Sequence, residues 1–467
     1  MQRLRFRIAA LVAGLALALA SCAANLSVPS VALAPQTMTP IAPDDPELKG
    51  RERVVLGEPS PPAIASASSS RAPQVTSLSS ATRAAVTATP GAQDATPATR
   101  ENLFDVITVL WGTDRKVEPI NGKAGDSAPA DPLLTTSSVP TKALHAKAGS
   151  ERSERLATGL AVVTVPRTAR ATGTIPRPRQ YTFLNLRYYS ESENPQKHFT
   201  IASLRLLEPG ELSPRANGLL DKSTRFKDQV LVFIHGYNST FDDALYRTAQ
   251  VAHDLEFDGL AAMYSWPSRG TLKDYSYDLN SAARAQAYLA EFLSRIARET
   301  RARRIHIVAH SLGNRPLIEA LRSLQLSGDR AVRAKLGQIV LAAPDVDRDL
   351  FADITAKLDL GAGRTLYASN EDKALILSRQ ADGVPRAGDV PADGPLIVKG
   401  LDTIDISAAS TKALLSANHN DYAERSHVLK DIQLLIDRGV RPPDQRFPLY
   451  MVAEGKGGRY WRYTPNK

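Results

Sequence analysis

The sequence predicts an α/β fold in which a mostly parallel central sheet is covered by helices on both faces. After residue 229, short apolar segments alternate with amphipathic helical segments. A strand of a parallel sheet is buried on both faces, so it is apolar along its whole length. The segments of this kind are residues 230–234, 260–266, 305–309, 339–343 and 365–369.

The helical segments between these strands are residues 242–255, 281–298 and 315–324. A further strand is predicted at 401–407 and a further helix at 428–436. In open parallel sheets the chemistry lies at the carboxyl ends of the strands. We therefore expect functional residues directly after the predicted strands.

The first residues of the chain are typical of a targeting signal. A short basic segment precedes about thirteen apolar residues at 8–20, a run too short to span a bilayer of about 30 Å. The segment Leu19-Ala20-Ser21-Cys22 resembles the lipobox of bacterial lipoproteins. That resemblance implies a signal peptide at 1–21 and a lipid-modified Cys22. Because Cys22 is the only cysteine, no intrachain disulfide can form.

Composition divides the rest of the 467-residue chain into regions. Residues 22–100 are rich in Ala, Ser, Pro and Thr and predict a disordered tether, since they cannot bury enough apolar surface to fold. Residues 101–228 are predicted to hold the N-terminal strands of the folded region, with a polar loop at 116–150. The core of the α/β fold is placed at 229–440, and a C-terminal tail at 441–467.

The net charge of +9 predicts a solvated basic surface, with attraction to anionic lipid or polysaccharide as the alternative. No basic run is interleaved with aromatic residues, so nucleic-acid binding is not predicted. The chain has no cysteine pair and no Gly-rich phosphate loop after a strand. We therefore predict neither a metal nor a cofactor.

Ser311 is the predicted nucleophile. The segment Ala309-His310-Ser311-Leu312-Gly313 follows an apolar strand and opens a helix, which is the context of the nucleophile elbow of the α/β-hydrolase fold. The residues two before and two after the serine must be small, because strand and helix backbones meet closely there. Gly313 meets this requirement, and Ala309 adds one methyl group. His310 is predicted to pack and not to act as the base.

A tetrahedral intermediate needs two hydrogen-bond donors aimed at its oxyanion. We expect the N–H of Leu312, at the start of the helix, and the N–H of Tyr237, in the loop after the first core strand. Gly236 lets that loop approach closely, and His235 is predicted to orient it.

The catalytic acid and base should follow the serine in the order acid, then histidine. Asp372 lies just after the fifth core strand and is preferred, with the adjacent Glu371 as an alternative. Asp345, after the fourth strand, is a second alternative. Two histidines follow the acid; His419 in a polar loop is preferred over His427, because a loop can reach across the sheet.

At these residues the chain resembles a DUF900-like family of bacterial α/β-hydrolases of unknown function, esterase- or lipase-like and often predicted to be lipoproteins. The resemblance spans roughly residues 106–436. It implies a serine hydrolase fold, and it places His419 in the family's histidine motif. The family usually has His-Ser-Tyr where this chain has His419-Asn420-Asp421-Tyr422. The matching stretches are 112–115, 232–238, 264–268, 277–278, 309–314, 342–345, 418–419 and 428–431.

Two functional hypotheses follow. The first is a carboxylic ester hydrolase of the cell envelope that acts through an acyl-enzyme, with amidase, thioesterase and acyltransferase activity left open. Its partners would be an ester-type small molecule or lipid and, through the lipid anchor, the outer membrane or the periplasmic face of the inner membrane. Trp266, Tyr275 and Tyr277 are interpreted either as acyl-pocket lining or as ordinary packing. The second hypothesis is a non-catalytic scaffold or binding protein on the same fold.

Overall fold

The computed structural model describes residues 103–120, 142–172, 174–183, 186–370, 383–409 and 422–465. The predicted signal peptide, Cys22 and the tether lie outside the described residues. So do the preferred acid Asp372, its neighbour Glu371, and the preferred base His419. Among the described residues, no helix has the length and apolar character needed to cross a membrane.

The strands confirm the predicted alternation of apolar segments and helices in the second half of the chain. They are β1 (Phe104–Pro119), β2 (Ala143–Leu144), β3 (Ala146–Pro166), β4 (Gln180–Phe183), β5 (Leu186–Ser190), β6 (Thr200–Leu206), β7 (Gln229–Ile234), β8 (Leu260–Ser265), β9 (Arg304–His310), β10 (Leu336–Ala342), β11 (Gly363–Ala368), β12 (Asp402–Asp405), β13 (Tyr450–Gly455) and β14 (Gly458–Tyr463).

The helices connect consecutive strands of the core. They are α1 (Arg167–Thr172), α2 (Leu212–Leu220), α3 (Phe241–Asp254), α4 (Tyr275–Glu299), α5 (Asn314–Leu326), α6 (Arg330–Lys335), α7 (Arg348–Ala356), α8 (Tyr422–Arg438) and α9 (Pro443–Arg446). Short 3₁₀ turns at Leu272–Asp274 and Ser311–Gly313 lead into α4 and α5.

One large sheet has the strand order β13-β14-β12-β11-β10-β9-β7-β8-β1-β3-β6-β2, and β4 and β5 form a separate hairpin. From β14 to β1 every neighbouring pair is parallel. Strand β1 then pairs antiparallel with β3, and β13 pairs antiparallel with β14. Strand β9 is central in the parallel part, so the turn after it lies in the middle of the carboxyl edge.

Alternate residues of β7 show how both faces of the sheet are covered. Val230, Val232 and Ile234 belong to the core cluster formed with α4 and α5. Leu231 and Phe233 belong to the cluster formed with α8 and the end of α3. Burial of apolar surface on both faces is the main favourable contribution to folding such a sheet.

The structure moves three predicted boundaries. Strand β1 continues to Pro119 and β3 begins at Ala146, so the polar loop predicted at 116–150 is shorter at both ends. Helix α4 begins at Tyr275, six residues before the predicted start. The predicted tail at 441–467 contains α9, β13 and β14. Strand β14 pairs with β12 and β13 pairs with β14, so the two strands extend the sheet, and Trp461 and Tyr463 are buried.

A buried ion pair connects these C-terminal elements to the core. The carboxylate of Asp431 on α8 accepts hydrogen bonds from Arg446 at 2.6 and 3.1 Å. It also accepts from the hydroxyls of Tyr367 on β11 at 2.5 Å and Tyr450 on β13 at 2.9 Å. A buried carboxylate is tolerated only when its lone pairs are satisfied in this way.

Candidate active site

Ser311 occupies a strained turn at the carboxyl end of β9. Its φ is +50°, in the left-handed region that residues with a Cβ rarely adopt. Such strain persists only where the surrounding structure enforces it, and it is common at functional sites. A serine held this way between a strand and a helix has the backbone of a nucleophile elbow. The side chain is buried.

Two glycines allow this turn to pack against the loop after β7. A Cβ on Gly313 would collide with the carbonyl oxygen of His235. A Cβ on Gly236 would lie 2.9 Å from the Cβ of Ser311 and 3.0 Å from Nδ1 of His310. Small residues are therefore needed at these positions because the turn at Ser311 contacts the loop after β7.

Asn314, the first residue of α5, supports the turn from below. It is fully buried, and its Nδ2 donates to the carbonyl of Ser311 at 2.9 Å. Longer bonds of 3.3 Å reach the carbonyls of Ala309 and Ala342. No role for Asn314 was predicted from the sequence, although it lies in a stretch of the family resemblance. Its position directly after the motif at residues 309–313 was the available signal.

His235 is neutral and holds the loop that it begins. Its ring stacks on Trp266 with centroids 4.8 Å apart. Nδ1 lies 2.8 Å from the carbonyl oxygen of Gly236, and Nε2 lies 3.1 Å from Oγ of Ser265. Burial, together with the charge of Arg115, lowers the pKa of His235 to about 3. The orienting role of His235 stays a prediction, and these contacts tie the ring to the start of the loop.

The continuation of this loop is held by Asp278 on α4, a residue the sequence analysis did not single out. The N–H of Asn238 donates to Asp278 Oδ2 at 3.3 Å, and the N–H of Arg269 donates to Oδ1 at 2.9 Å. Ser268 Oγ donates to Oδ2 at 2.5 Å. Asn238 has a φ of +56°, so this loop is also strained.

The three aromatic residues considered for an acyl pocket have different positions. Trp266 is fully buried, and its Nε1 donates to the carbonyl of His235 at 2.9 Å, so it packs beneath the loop. The hydroxyl of Tyr277 donates to the carbonyl of Ser150 at 3.0 Å. Tyr275 packs edge-to-face on Tyr237 at 5.2 Å between centroids. Tyr275 is therefore in contact with a predicted oxyanion residue.

Asp345 is beside the nucleophile turn. Its N–H donates to the carbonyl of Ser311 at 3.2 Å. Its buried carboxylate lies 3.3 Å from Nε of Arg386 and accepts from the hydroxyl of Tyr275 at 3.3 Å. The alternative acid is therefore close to Ser311 along the sheet, and its carboxylate is paired with a buried guanidinium.

His427 lies on α8 and faces the C-terminal strands. Its Nδ1 is 2.7 Å from the hydroxyl of Tyr463, and its ring packs near Phe447. His310, next to the nucleophile, lies beside Gly236, and burial with the charge of Arg247 lowers its pKa to about 4.

His306 and His310 are four residues apart on β9, a spacing that can indicate a metal site on a helix. On a strand, residues four apart are separated by about 13 Å, which is too far for both rings to bind one metal ion. Nε2 of His306 instead forms a hydrogen bond with Oε1 of Gln229 at 2.8 Å. Among the described residues there is no cluster of three or more metal-ligating side chains.

A family model described as an α/β hydrolase of unknown function (DUF900) matches residues 216–438. The α/β-hydrolase fold predicted from the sequence is therefore confirmed, and the strand order agrees with a mostly parallel sheet. The comparison with curated proteins found no match to this sequence.

Several solved structures are similar to part of this chain at low identity. An uncharacterized protein from Bacillus cereus ATCC 10987 is 11% identical, with a TM-score of 0.29; the match covers 47% of this chain and 62% of that one. A thermostable esterase from Pseudomonas putida ECU1011 is 13% identical, with a TM-score of 0.27, over 50% of this chain and 91% of that one. A "predicted CIB-like hydrolase" from Thermoplasma acidophilum is 12% identical, with a TM-score of 0.27, over 56% and 99%. Likeness at this level does not define an activity.

The depressed pKa of His235 makes stability depend on pH. An unfolded histidine protonates near pH 6.5, whereas folded His235 stays neutral down to about pH 3. The unfolded state therefore binds more protons between these values, and stability falls as the pH falls. Relative to His235→Asn, we expect the wild type to lose about 1.4 kcal/mol of unfolding free energy per pH unit between pH 6 and 4.

Urea unfolding at several pH values measures this difference. His145→Asn, at an exposed position, is the matched control and should leave the slope as it is in the wild type. Equal slopes for the wild type and His235→Asn would show that His235 protonates normally in the folded protein.

Proposed function

We propose that this protein is a serine hydrolase that cleaves carboxylic esters with Ser311 as its nucleophile. The observation that carries the proposal is the turn at Ser311, with a φ of +50° after β9 and in close contact with Gly236 of the loop after β7. Strain of this kind is stable only where the rest of the fold holds it. Gly313 permits the close packing of this turn, and Asn314 holds it with a hydrogen bond to the carbonyl of Ser311.

In the proposed reaction Oγ of Ser311 attacks the acyl carbon while His419 takes the hydroxyl proton. The N–H groups of Leu312 and Tyr237 would stabilise the oxyanion of the tetrahedral intermediate. The bond between the acyl carbon and the alcohol oxygen then breaks, and His419 returns the proton to the leaving alcohol. Water, activated by the same histidine, releases the acid from the acyl-enzyme and restores Ser311.

The choice of His419 as base draws support from the positions of the other histidines. His427 is bonded to Tyr463 of β14, and His253 lies 3.0 Å from Asp105. His235 and His306 are buried with their own partners. His419 follows β12 and precedes α8 in the chain, which is the order expected for the base.

The choice of Asp372 as acid draws support from the sheet order and from Arg386. Residue 372 follows β11, which lies two strands from β9, and β10 lies between them. Asp345 follows β10, but its carboxylate is held by Arg386 and Tyr275. A carboxylate already paired with a guanidinium is a weaker partner for an imidazolium cation.

The cell-envelope location is part of the proposal and rests on residues 1–22 of the sequence. A lipid-modified Cys22 would anchor the chain to a membrane, since two or more acyl chains give stable binding. Residues 23–100 would then separate the anchor from the catalytic domain.

A fluorophosphonate probe tests the nucleophile, because it forms a covalent bond only with an activated serine. The full-length wild type should be labelled, and Ser311→Ala should not be. Ser407→Ala, which removes another serine hydroxyl at the carboxyl edge of the sheet, is the control and should label normally. Labelling that survives Ser311→Ala would refute the assignment, and a wild type inert to the probe and to short esters would favour a binding protein.

Paired substitutions test the acid and the base through kcat for a short-chain ester. We expect Asp372→Asn and His419→Gln to lower kcat by about 10⁴-fold, since each disrupts the general base. Asp345→Asn and His427→Gln are the matched controls and should retain kcat within about tenfold. A large loss in Asp345→Asn, with Asp372→Asn active, would move the acid to the end of β10.

Metabolic labelling with an alkyne fatty acid tests the anchor. The wild type should incorporate the label and partition with membranes, whereas Cys22→Ser should lose both properties because it has no thiol to acylate. Ser21→Thr, which keeps Cys22, is a control for changes to the adjacent sequence. Equal labelling of the wild type and Cys22→Ser would exclude lipidation at this residue.

A further inference from the structure

Arg115, near the end of β1, donates hydrogen bonds to the loop after β7, which contacts Ser311, and to the segment after β8. Its side chain is 1% exposed, and every nitrogen of its guanidinium has a partner. Nε donates to Oγ of Ser265 at 2.9 Å, and Nη2 donates to the carbonyl of Ser239 at 2.9 Å. Nη1 donates to the carbonyl of Ser268 at 2.8 Å and to that of Gly149 at 3.1 Å.

Three of these acceptors belong to the carboxyl ends of β7 and β8 and to the loops that follow them. Ser239 is in the loop after β7, which contains the predicted oxyanion donor, while Ser265 ends β8 and Ser268 follows it. Burial lowers the pKa of Arg115 to about 10, and the charges of Asp114 and Asp278 oppose that shift. The guanidinium is therefore charged at neutral pH, and charged donors form the stronger hydrogen bonds.

The direction of each hydrogen bond in this group follows from chemistry. An arginine nitrogen can only donate, so Oγ of Ser265 accepts from Arg115 and is left to donate its own hydrogen. The carbonyl oxygen of Gly236 can only accept, so Nδ1 of His235 carries the ring proton and donates to it at 2.8 Å. Because buried His235 is neutral, its Nε2 has no hydrogen and accepts from the hydroxyl of Ser265 at 3.1 Å.

The bond from His235 to the Gly236 carbonyl sets the orientation of the peptide between Gly236 and Tyr237. In a planar trans peptide the carbonyl and the following N–H point in opposite directions. Holding the Gly236 oxygen at the His235 ring keeps the Tyr237 N–H on the other side. A rotated peptide would place a carbonyl oxygen where the proposed oxyanion needs a donor.

We propose that Arg115, acting through Ser265 and His235, is a positioning residue that holds the Gly236–Tyr237 peptide in its donating orientation. The inference rests on the proposed hydrolase function and adds to it. It makes β1 part of the catalytic unit, although the matched family region begins only at residue 216.

Two substitutions of His235 separate the hydrogen bond to the Gly236 carbonyl from simple packing. In His235→Asn the side-chain amide occupies the place of Nδ1 and can still donate to the Gly236 carbonyl. In His235→Gln the amide occupies the place of Nε2 and cannot reach that carbonyl. Both variants lose the stacking on Trp266. We expect His235→Asn to keep kcat within about tenfold of the wild type and His235→Gln to lose about 10²-fold.

Arg115→Met tests the start of the relay in the full-length protein. Because loss of one oxyanion donor costs about 10²- to 10³-fold in kcat, we expect a loss of that size with KM changed less than threefold. The matched control is Arg364→Met, since Arg364 is also buried and donates to a carbonyl, that of Thr355, but lies at the amino end of β11. It should lose stability and keep kcat.

Ser265→Ala removes only a hydroxyl group. It tests the proposed positioning role if Arg115→Met does not fold. We expect about a tenfold loss of kcat with unchanged KM. The inference is overturned if Arg115→Met or Ser265→Ala keeps wild-type kcat, or if His235→Asn and His235→Gln lose kcat equally. Failure of the proposed function gives a different result, because the wild type itself would then neither hydrolyse esters nor react with the fluorophosphonate. That result would also overturn the inference.

Discussion

The contact between the turn after β9 and the loop after β7 is the constraint on which the rest of the site depends. Gly313 leaves no space for a side chain beside the His235 carbonyl, and Gly236 leaves little beside Ser311. The two backbones are therefore nearly in van der Waals contact. Leu312 and Tyr237, whose N–H groups are the proposed oxyanion donors, belong to these two segments.

Such close backbone packing needs polar support, because strained loops have backbone groups that the sheet does not satisfy. Asn314 supplies it beneath the nucleophile, and Asp278 and Arg115 supply it beneath the neighbouring loop. The buried pair of Asp431 with Arg446 has a comparable role at the other end of the edge, where it joins β11, α8 and the C-terminal strands. Those elements flank the segments that carry the predicted acid and base.

Much of the fold could be predicted because it depends on local patterns. Apolar strands alternating with helices indicated the parallel sheet, and the small residue at Gly313 indicated the sharp turn. The C-terminal strands were missed because neither β13 nor β14 has a continuous buried apolar run, and β13 is half-exposed at the edge of the sheet. The length of the ribbon formed by β1 and β3 was also missed. Its outer residues are polar, and their pairing depends on a partner strand and not on burial.

The sequence by itself determined the α/β class, the nucleophile turn and the order of the candidate catalytic residues, since each is set by residues close together in the chain. Only the tertiary structure decided how the oxyanion loop is held. Arg115 and Ser265 are 150 residues apart, and Asn238 and Asp278 are 40 apart. No local pattern encodes such pairs, because a buried polar side chain acquires its partner only when the folded chain brings distant segments together.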